Sequence, residues 1–306
     1  MKVTNSIDEY NLNNDGACVA LGFFDGVHSG HRAVIGGCVA EKGDRRSVVL
    51  TFRESPARVL GQSAPPLLST NERKAELMAQ LGVDELIFAD FDAVKELSPE
   101  DFVIEILRDR LNAKKVYCGF NYHFGYRGAG DSDMLIRLCE EQGIEVIVKE
   151  PVFCGGEQVS SSLIREKIAA GEIETANKLL GYRYAVTGRI DEGNHVGSTL
   201  GFPTVNIPIG RGLTVPRYGV YASELLIDGV RYRGATNIGV HPTVSTLDMP
   251  LCETFLLDFD GGELYGKKAV CELKAFIRGE MCFDSMEELT TQIRKDCERI
   301  AELDRI

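Results

Sequence analysis

Up to Gly181 the chain alternates short apolar runs with amphipathic stretches, and beyond it apolar residues recur at every second position. This change of period constrains the fold more than any other feature, because periods of 3.6 and 2 belong to different elements. Runs at 17–21, 47–52, 85–89, 115–118 and 145–148 predict strands. Between them the spacing predicts a helix from near Ser29 and one from Pro99 to Leu111, capped by Ser98. Another spans 133–142 with Gly143 as its cap, and a helix pair follows at 163–169 and 174–180. Strands alternating with helices predict an α/β, Rossmann-like domain around a parallel sheet.

After Gly181 the pattern predicts a small antiparallel β-barrel. Asp228-Gly229 joins runs at 222–227 and 230–234, a two-residue hairpin signal, and Asp260-Gly261-Gly262 joins 253–259 to 268–276. Ser285-Met286-Glu287-Glu288 is a capping box. Behind it Met286, Leu289, Ile293, Cys297 and Ile300 form an apolar stripe, so a terminal helix is expected to pack on the barrel. The expected domains are 1–182 and 183–306.

A length of 306 residues accommodates two such domains. The net charge of −12 argues against general affinity for nucleic acid or anionic membranes, though not against nucleotide substrates. No apolar run approaches the roughly 20 residues of a membrane helix, and residues 1–14 show no signal-peptide order. The nine cysteines are scattered without a C-x-x-C pair, as expected of reduced, mostly buried thiols in a cytoplasmic protein. Self-association is left open.

Chemistry concentrates first in Gly22-Phe23-Phe24-Asp25-Gly26-Val27-His28-Ser29-Gly30-His31, which follows a predicted strand and opens a helix. Glycines here admit a phosphate close to the backbone, and the helix start supplies N–H groups and positive partial charge. His28 and His31, three apart, can face one substrate and stabilise charge on an α-phosphate and departing pyrophosphate. It is not a Walker loop, since no Lys-Ser or Lys-Thr follows; the near-match at 261–268 is read as a turn.

This segment resembles the adenylyltransferase module of bacterial bifunctional riboflavin kinase/FAD synthetases. Gly119-Phe120-Asn121-Tyr122-His123-Phe124-Gly125 is similar to that family's glycine–asparagine–aromatic–glycine loop, which implies that Asn121 contacts substrate phosphates. Ser160-Ser161-Ser162-Leu163-Ile164-Arg165 is similar to its Ser-Ser-x-x-Ile-Arg, implying that the serines and Arg165 grip the phosphates of ATP. The resemblance places Gly22, Phe23, Phe24, Asp25 and Gly30 around the nucleotide. One departure is Arg53-Glu54-Ser55-Pro56, where Ser55 replaces the histidine of a Pro-His-Pro element and Arg53 is the substitute donor at hand.

In the second half, Gly201-Phe202-Pro203-Thr204-Val205-Asn206 resembles the Pro-Thr-Ala-Asn signature of riboflavin kinases. Thr204 and Asn206 share one strand face, and their oxygens suit Mg²⁺. The segments 216–222, 237–243 and 253–259 also match, placing Gly201, Pro203 and Asn237 at the substrates and implying Glu253 as general base. The glycine loop departs from the family's Gly-x-x-Arg-Gly-Arg pattern, with Val196 and Ser198 where arginines are usual and His195 as the partial substitute. The resemblance implies two ATP-dependent steps, riboflavin to FMN and FMN to FAD. Two other readings stand beside it: a kinase with a weakened adenylyltransferase module, and a non-catalytic flavin-binding sensor.

Overall fold

Continuous apolar runs at the centre of the first half become strands buried on both sides. In this computed structural model, which describes residues 1–12, 14–191, 204–240, 249–257, 259 and 261–303, two compact units form. The first comprises Met1–Pro65 and Asn71–Ser160, the second Pro66–Thr70 and Ser161–Ile306.

The first unit holds a six-stranded parallel sheet of β1 (Lys2–Thr4), β2 (Ala17–Leu21), β3 (Arg46–Phe52), β4 (Glu85–Ala89), β5 (Ala113–Gly119) and β6 (Glu145–Lys149), in the order β1-β4-β3-β2-β5-β6. Every residue of β2 and β4 is buried, as helices covering both faces require. The long helices are α1 (Ser29–Ala40), α3 (Asn71–Gln80) and α6 (Ser132–Glu141); short α2 (Pro56–Val59), α4 (Phe91–Val94) and α5 (Pro99–Asp101) lie between them. Ser98 caps α5 as expected, but the helix then runs through Phe102–Arg110 with π-type bonding, closed by Leu111 N–H donating to Ile106 O at 2.9 Å. β1 was not foreseen, because its three residues alternate too briefly to signal a strand. A small hairpin, β7 (Phe153–Cys154) and β8 (Glu157–Gln158), closes the unit.

From β2 the chain steps outward through β3 to β4, then returns to place β5 on the other side of β2. The strand order thus reverses between β2 and β5, where an open α/β sheet leaves a ligand crevice at its C-terminal edge. Gly22-Phe23 and Gly119-Phe120-Asn121 leave the sheet there, side by side.

The second unit opens with α7 (Ser161–Ala170) and α8 (Ile173–Leu180). Gly181 ends α8 in the left-handed conformation, and α8 packs on the barrel strand β14. The barrel is antiparallel: β9 (Ala185–Arg189), β10 (Thr204–Pro208), β11 (Gly219–Ile227), β12 (Val230–Gly239), β13 (Leu251–Leu256) and β14 (Lys268–Arg278), in the order β10-β13-β12-β11-β14-β9. A bridge between Asp191 and Asn206 brings β9 to β10 and nearly closes it. The Asp228-Gly229 hairpin forms with φ of 49° and 82°, the left-handed pair that a two-residue turn needs. β12 runs five residues further than expected, to Gly239, and β13 starts two earlier, at Leu251; both extensions are cross-strand paired. The turn expected at Asp260 lies partly outside the described residues.

The barrel interior is apolar except for a chain of hydroxyls. Ser223 Oγ lies 2.7 Å from Thr236 Oγ1, which lies 2.7 Å from Thr254 Oγ1, and Ser223 donates to Gly234 O at 3.0 Å. Each buried hydroxyl therefore has a partner. The terminal helix α9 (Met286–Leu303) is capped by Ser285, whose Oγ accepts from Glu288 N–H at 3.2 Å. Ile300 is buried as expected, but Met286 is exposed and Asp296, outside the stripe, is buried. The reason is an ion pair in which Arg278 Nε and Nη2 grip the Asp296 carboxylate at 2.8–3.1 Å, with Gln292 Nε2 donating at 2.9 Å. The nine cysteines are all free thiols, and six of them are buried.

Removing one partner of a buried pair strands the other charge, at a cost of about 3–5 kcal/mol. Asp296→Ala is expected to destabilise the second unit by that amount in denaturant unfolding, and an unchanged midpoint would show that the helix is held by its apolar contacts alone.

Candidate functional sites

The first site is built on the turn between β2 and α1. Phe24, Gly26 and Val27 take φ of 52°, 72° and 41°. A β-branched residue such as Val27 is seldom left-handed, so packing around the turn must impose this shape. Gly22 is needed because a Cβ there would lie 2.8 Å from the Phe24 ring. Asp25, Val27 and His28 are buried within the turn.

His28 is the N-cap of α1, its Nδ1 accepting from His31 N–H at 3.3 Å. An accepting Nδ1 assigns the proton of the neutral ring to Nε2. The two imidazoles stack with centroids 3.6 Å apart and planes 18° apart, while the Phe24 ring meets His31 edge-on at 5.3 Å. Burial, His28 and the Lys74 ammonium hold His31 well below the ordinary histidine range, so it is a neutral donor and acceptor at pH 7. Its Nδ1 is buried without a hydrogen-bond partner. A buried ring nitrogen lacking a partner is costly and marks a place for a ligand atom.

Asn121 is exposed just beyond β5, next to the β2 turn across the strand-order reversal. The loop behind it is closed by the Phe124–Gly130 pair, N–H to carbonyl in both directions at 3.0 and 2.9 Å. Ser160 ends the first unit, whereas Ser161, Ser162 and Arg165 lie on α7 in the second. Arg165 Nε donates to Pro66 O at 2.6 Å, within the second unit. Arg53 is turned to other partners: its guanidinium bonds Asn5 Oδ1 and stacks 4.4 Å over the Phe88 ring.

Sequence reasoning missed Lys74 and Thr51. Thr51 Oγ1 donates to Phe23 O at 2.8 Å; Lys74 Nζ donates to the same oxygen at 2.9 Å and to Phe52 O at 3.4 Å. Lys74 is legible in retrospect, because it shares a helix face with the buried Leu77 and Met78, where an apolar residue is expected.

The second site is a row across three barrel strands. Asn206 on β10 pairs with Glu253 on β13, and Glu253 pairs with Asn237 on β12. Directly opposed residues point to one face with Cβ atoms about 4.5–5.5 Å apart. Thr204, two residues from Asn206, shares that face, while the alternate residues Val205, Ile207, Cys252, Thr254, Thr236 and Ile238 fill the interior. The bridge from Asn206 extends the row to Asp191, whose N–H donates to Asn206 O at 2.8 Å; no sequence signal marks that residue. At the other end of the site a Cβ on Gly239 would collide with Glu280 Oε1. Among the described residues no group of three or more His, Cys, Asp or Glu side chains could hold a metal. The oxygens on offer for one are the hydroxyl of Thr204 and the amide of Asn206, neutral hard donors. Gly201, Pro203, His195, Val196 and Ser198 lie outside the described residues.

Comparison with known proteins accounts for both halves. A model of the FAD synthetase family matches residues 11–163, and one of the riboflavin kinase family matches residues 180–303. A bifunctional riboflavin kinase/FMN adenylyltransferase of Listeria monocytogenes is 37% identical over 283 residues, 91% of this chain and 89% of the relative. Namesakes from Bacillus subtilis and Escherichia coli are 36% identical over 286 residues and 35% over 289; they cover 91% and 92% of this chain, and 89% and 91% of the relatives. A crystal structure described as a macrolide-efflux protein from Streptococcus pneumoniae is similar at 28% identity and a TM-score of 0.84, covering 97% of each chain. Among the described residues no helix is long and apolar enough to cross a membrane. With an FAD synthetase domain before a riboflavin kinase domain, the chain belongs to the bifunctional riboflavin kinase/FMN adenylyltransferase family.

Proposed function

We propose that residues 183–306 phosphorylate riboflavin to FMN with ATP, and that residues 1–182 transfer AMP from a second ATP to FMN, releasing pyrophosphate and giving FAD. The register of Asn206, Glu253 and Asn237 carries the kinase assignment, since it sets a carboxylate between two amides on one face. Glu253 takes the proton of the riboflavin 5′-hydroxyl as that oxygen attacks the γ-phosphate. Asn206 and Asn237 orient the groups on either side.

Thr204 and Asn206 fit Mg²⁺, a hard cation that takes oxygen ligands and keeps water and phosphate in its remaining positions. Bound there, it neutralises phosphate charge during transfer. The family resemblance assigns Gly201 and Pro203 to the nucleotide as well.

In the first site, His28 and the neutral His31 donate to phosphate oxygens as negative charge builds on them, and Asn121 holds the phosphates across the crevice. Gly22, Phe23, Phe24, Asp25 and Gly30 shape the turn around the nucleotide. The family resemblance assigns Ser160, Ser161, Ser162 and Arg165 to ATP, whose phosphates suit hydroxyl and guanidinium donors. Both reactions are in-line displacements at phosphorus, and positioning does most of the work. The protein acts in the cytoplasm on small molecules, with no nucleic-acid or membrane partner.

A second reading, a kinase with a slow adenylyltransferase, is favoured by one observation. Ser55 replaces the family's histidine, and Arg53 is engaged by Asn5 and Phe88 rather than standing in for it.

Incubation with riboflavin, ATP and Mg²⁺, followed by chromatography, is expected to show FMN first and FAD after it. FMN without FAD selects the second reading, and no conversion returns the chain to a flavin-binding role. Glu253→Gln is expected to lower FMN formation by about 10²-fold or more while FAD still forms from supplied FMN. His31→Ala is expected to do the reverse, by a similar factor. Loss of both activities in either variant refutes two independent sites.

A further inference from the structure

Among the described charged side chains, Lys74 is one of the most deeply buried, at 2% exposure. Burial of an ammonium costs several kcal/mol unless it is paired and hydrogen-bonded, and an apolar residue at this helix position carries no such cost. Its bonds show what it holds. Nζ donates to Phe23 O, the first carbonyl of the strained turn, and to Phe52 O at the end of the neighbouring strand, and it lies 4.3 Å over the Phe23 ring. Thr51 Oγ1 donates to Phe23 O from another side. Two donors thus fix one carbonyl, and the residues after it take the left-handed conformations of Phe24, Gly26 and Val27 before reaching His28 and His31.

We infer that Lys74 is a positioning residue for adenylyl transfer, holding the turn of residues 22–28 in the shape that places His28 and His31. This inference rests on the adenylyltransferase reading of the first site. Lys74 acts through Phe23 and touches no substrate. Its charge strengthens both carbonyl bonds, because a charge-assisted hydrogen bond is roughly twice as strong as a neutral one. Burial brings the ammonium down to about 8, and the nearby Asp25 carboxylate acts the other way. The clamp therefore weakens as pH rises through that value. Asp25 from the turn acts on the ammonium, and the ammonium acts in turn on His31; the other histidine and ionised residues of these elements are His28 and Arg32 at α1, Arg46 on β3, Arg53 beyond it, and Glu72, Arg73 and Glu76 on α3 itself. Carboxylates and imidazoles ordinarily titrate below this range and arginine above it.

The test uses the full chain, with FAD formation from FMN and ATP measured from pH 7 to 9.5 and FMN formation from riboflavin as the internal control. Lys74→Met is expected to lower kcat for FAD formation by about 100-fold at pH 7, the effect of a small misplacement of reacting groups, with KM for FMN and ATP changed by less than about threefold. FMN formation is expected to stay at the wild-type rate. The wild-type kcat is expected to fall above pH 8, and Lys74→Met to lack that fall. A partly misfolded variant instead loses the same factor at every pH. Thr51→Val, which keeps the ammonium, is expected to lower kcat about fivefold and retain the fall. A Lys74→Met enzyme within about threefold of wild type, or one that keeps the alkaline fall, overturns the inference. If that variant is insoluble, an unchanged rate in Thr51→Val overturns it. A wild-type chain that forms FMN but no FAD overturns the adenylyltransferase reading and this inference with it.

Discussion

A β-strand presents successive side chains to opposite faces, and the second unit depends on this constraint throughout. Along β10, β12 and β13 one set of alternate residues fills the barrel with Val205, Ile207, Ile238, Cys252 and the bonded hydroxyls of Thr236 and Thr254. The other set is Thr204, Asn206, Asn237 and Glu253. Moving one strand by a single residue would bury Glu253 in the barrel and expel Thr254 from its hydroxyl chain. The core thus fixes the site, and the hydroxyl chain adds to the specification: three polar groups that satisfy one another in one register leave unpaired oxygens in any other.

The first unit solves a different problem. Parallel strands bring their C-terminal ends to one edge, and the reversal of order between β2 and β5 leaves two loops there with no helix between them. The edge supplies position but not shape. Shape comes from a turn with non-glycine residues in the left-handed region, a conformation that costs about 1–3 kcal/mol and persists only where neighbours enforce it. Phe23 O, with donors from β3 and α3, is where that enforcement is most visible.

Much of this was legible in the sequence, though unevenly. Strands β2 to β4 stand out because burial on both faces demands unbroken apolar runs, and the hairpin at Asp228-Gly229 because few residues tolerate two left-handed positions in succession. Glu253, Asn206 and Asn237 were found as separate segments, but their adjacency is a matter of register, which no single segment contains. Asp191 was missed for the same reason. The terminal helix was read from its capping box and apolar spacing, and neither could show that Asp296 would be drawn inward by Arg278, eighteen residues earlier. Lys74 was missed because no helix was foreseen over Asn71–Gln80, and its burial shows only once that helix is on the page.

The charge of each site is set locally and not by the chain's net −12. Nucleotide triphosphates are strongly anionic, and an acidic protein gains little from its overall field in attracting them. At the head of α1 stands a stacked pair of imidazoles, of which His31 is held uncharged by burial, by His28 and by a neighbouring ammonium. A neutral donor binds ground-state phosphate only modestly, yet its hydrogen bond strengthens as charge moves onto the oxygen it faces. That difference between ground and transition state is what accelerates a reaction. A permanent cation in the same place would hold substrate and product tightly as well. The buried ammonium of Lys74, bound to backbone carbonyls, therefore serves best where it is, shaping the turn and keeping His31 neutral without itself gripping the nucleotide.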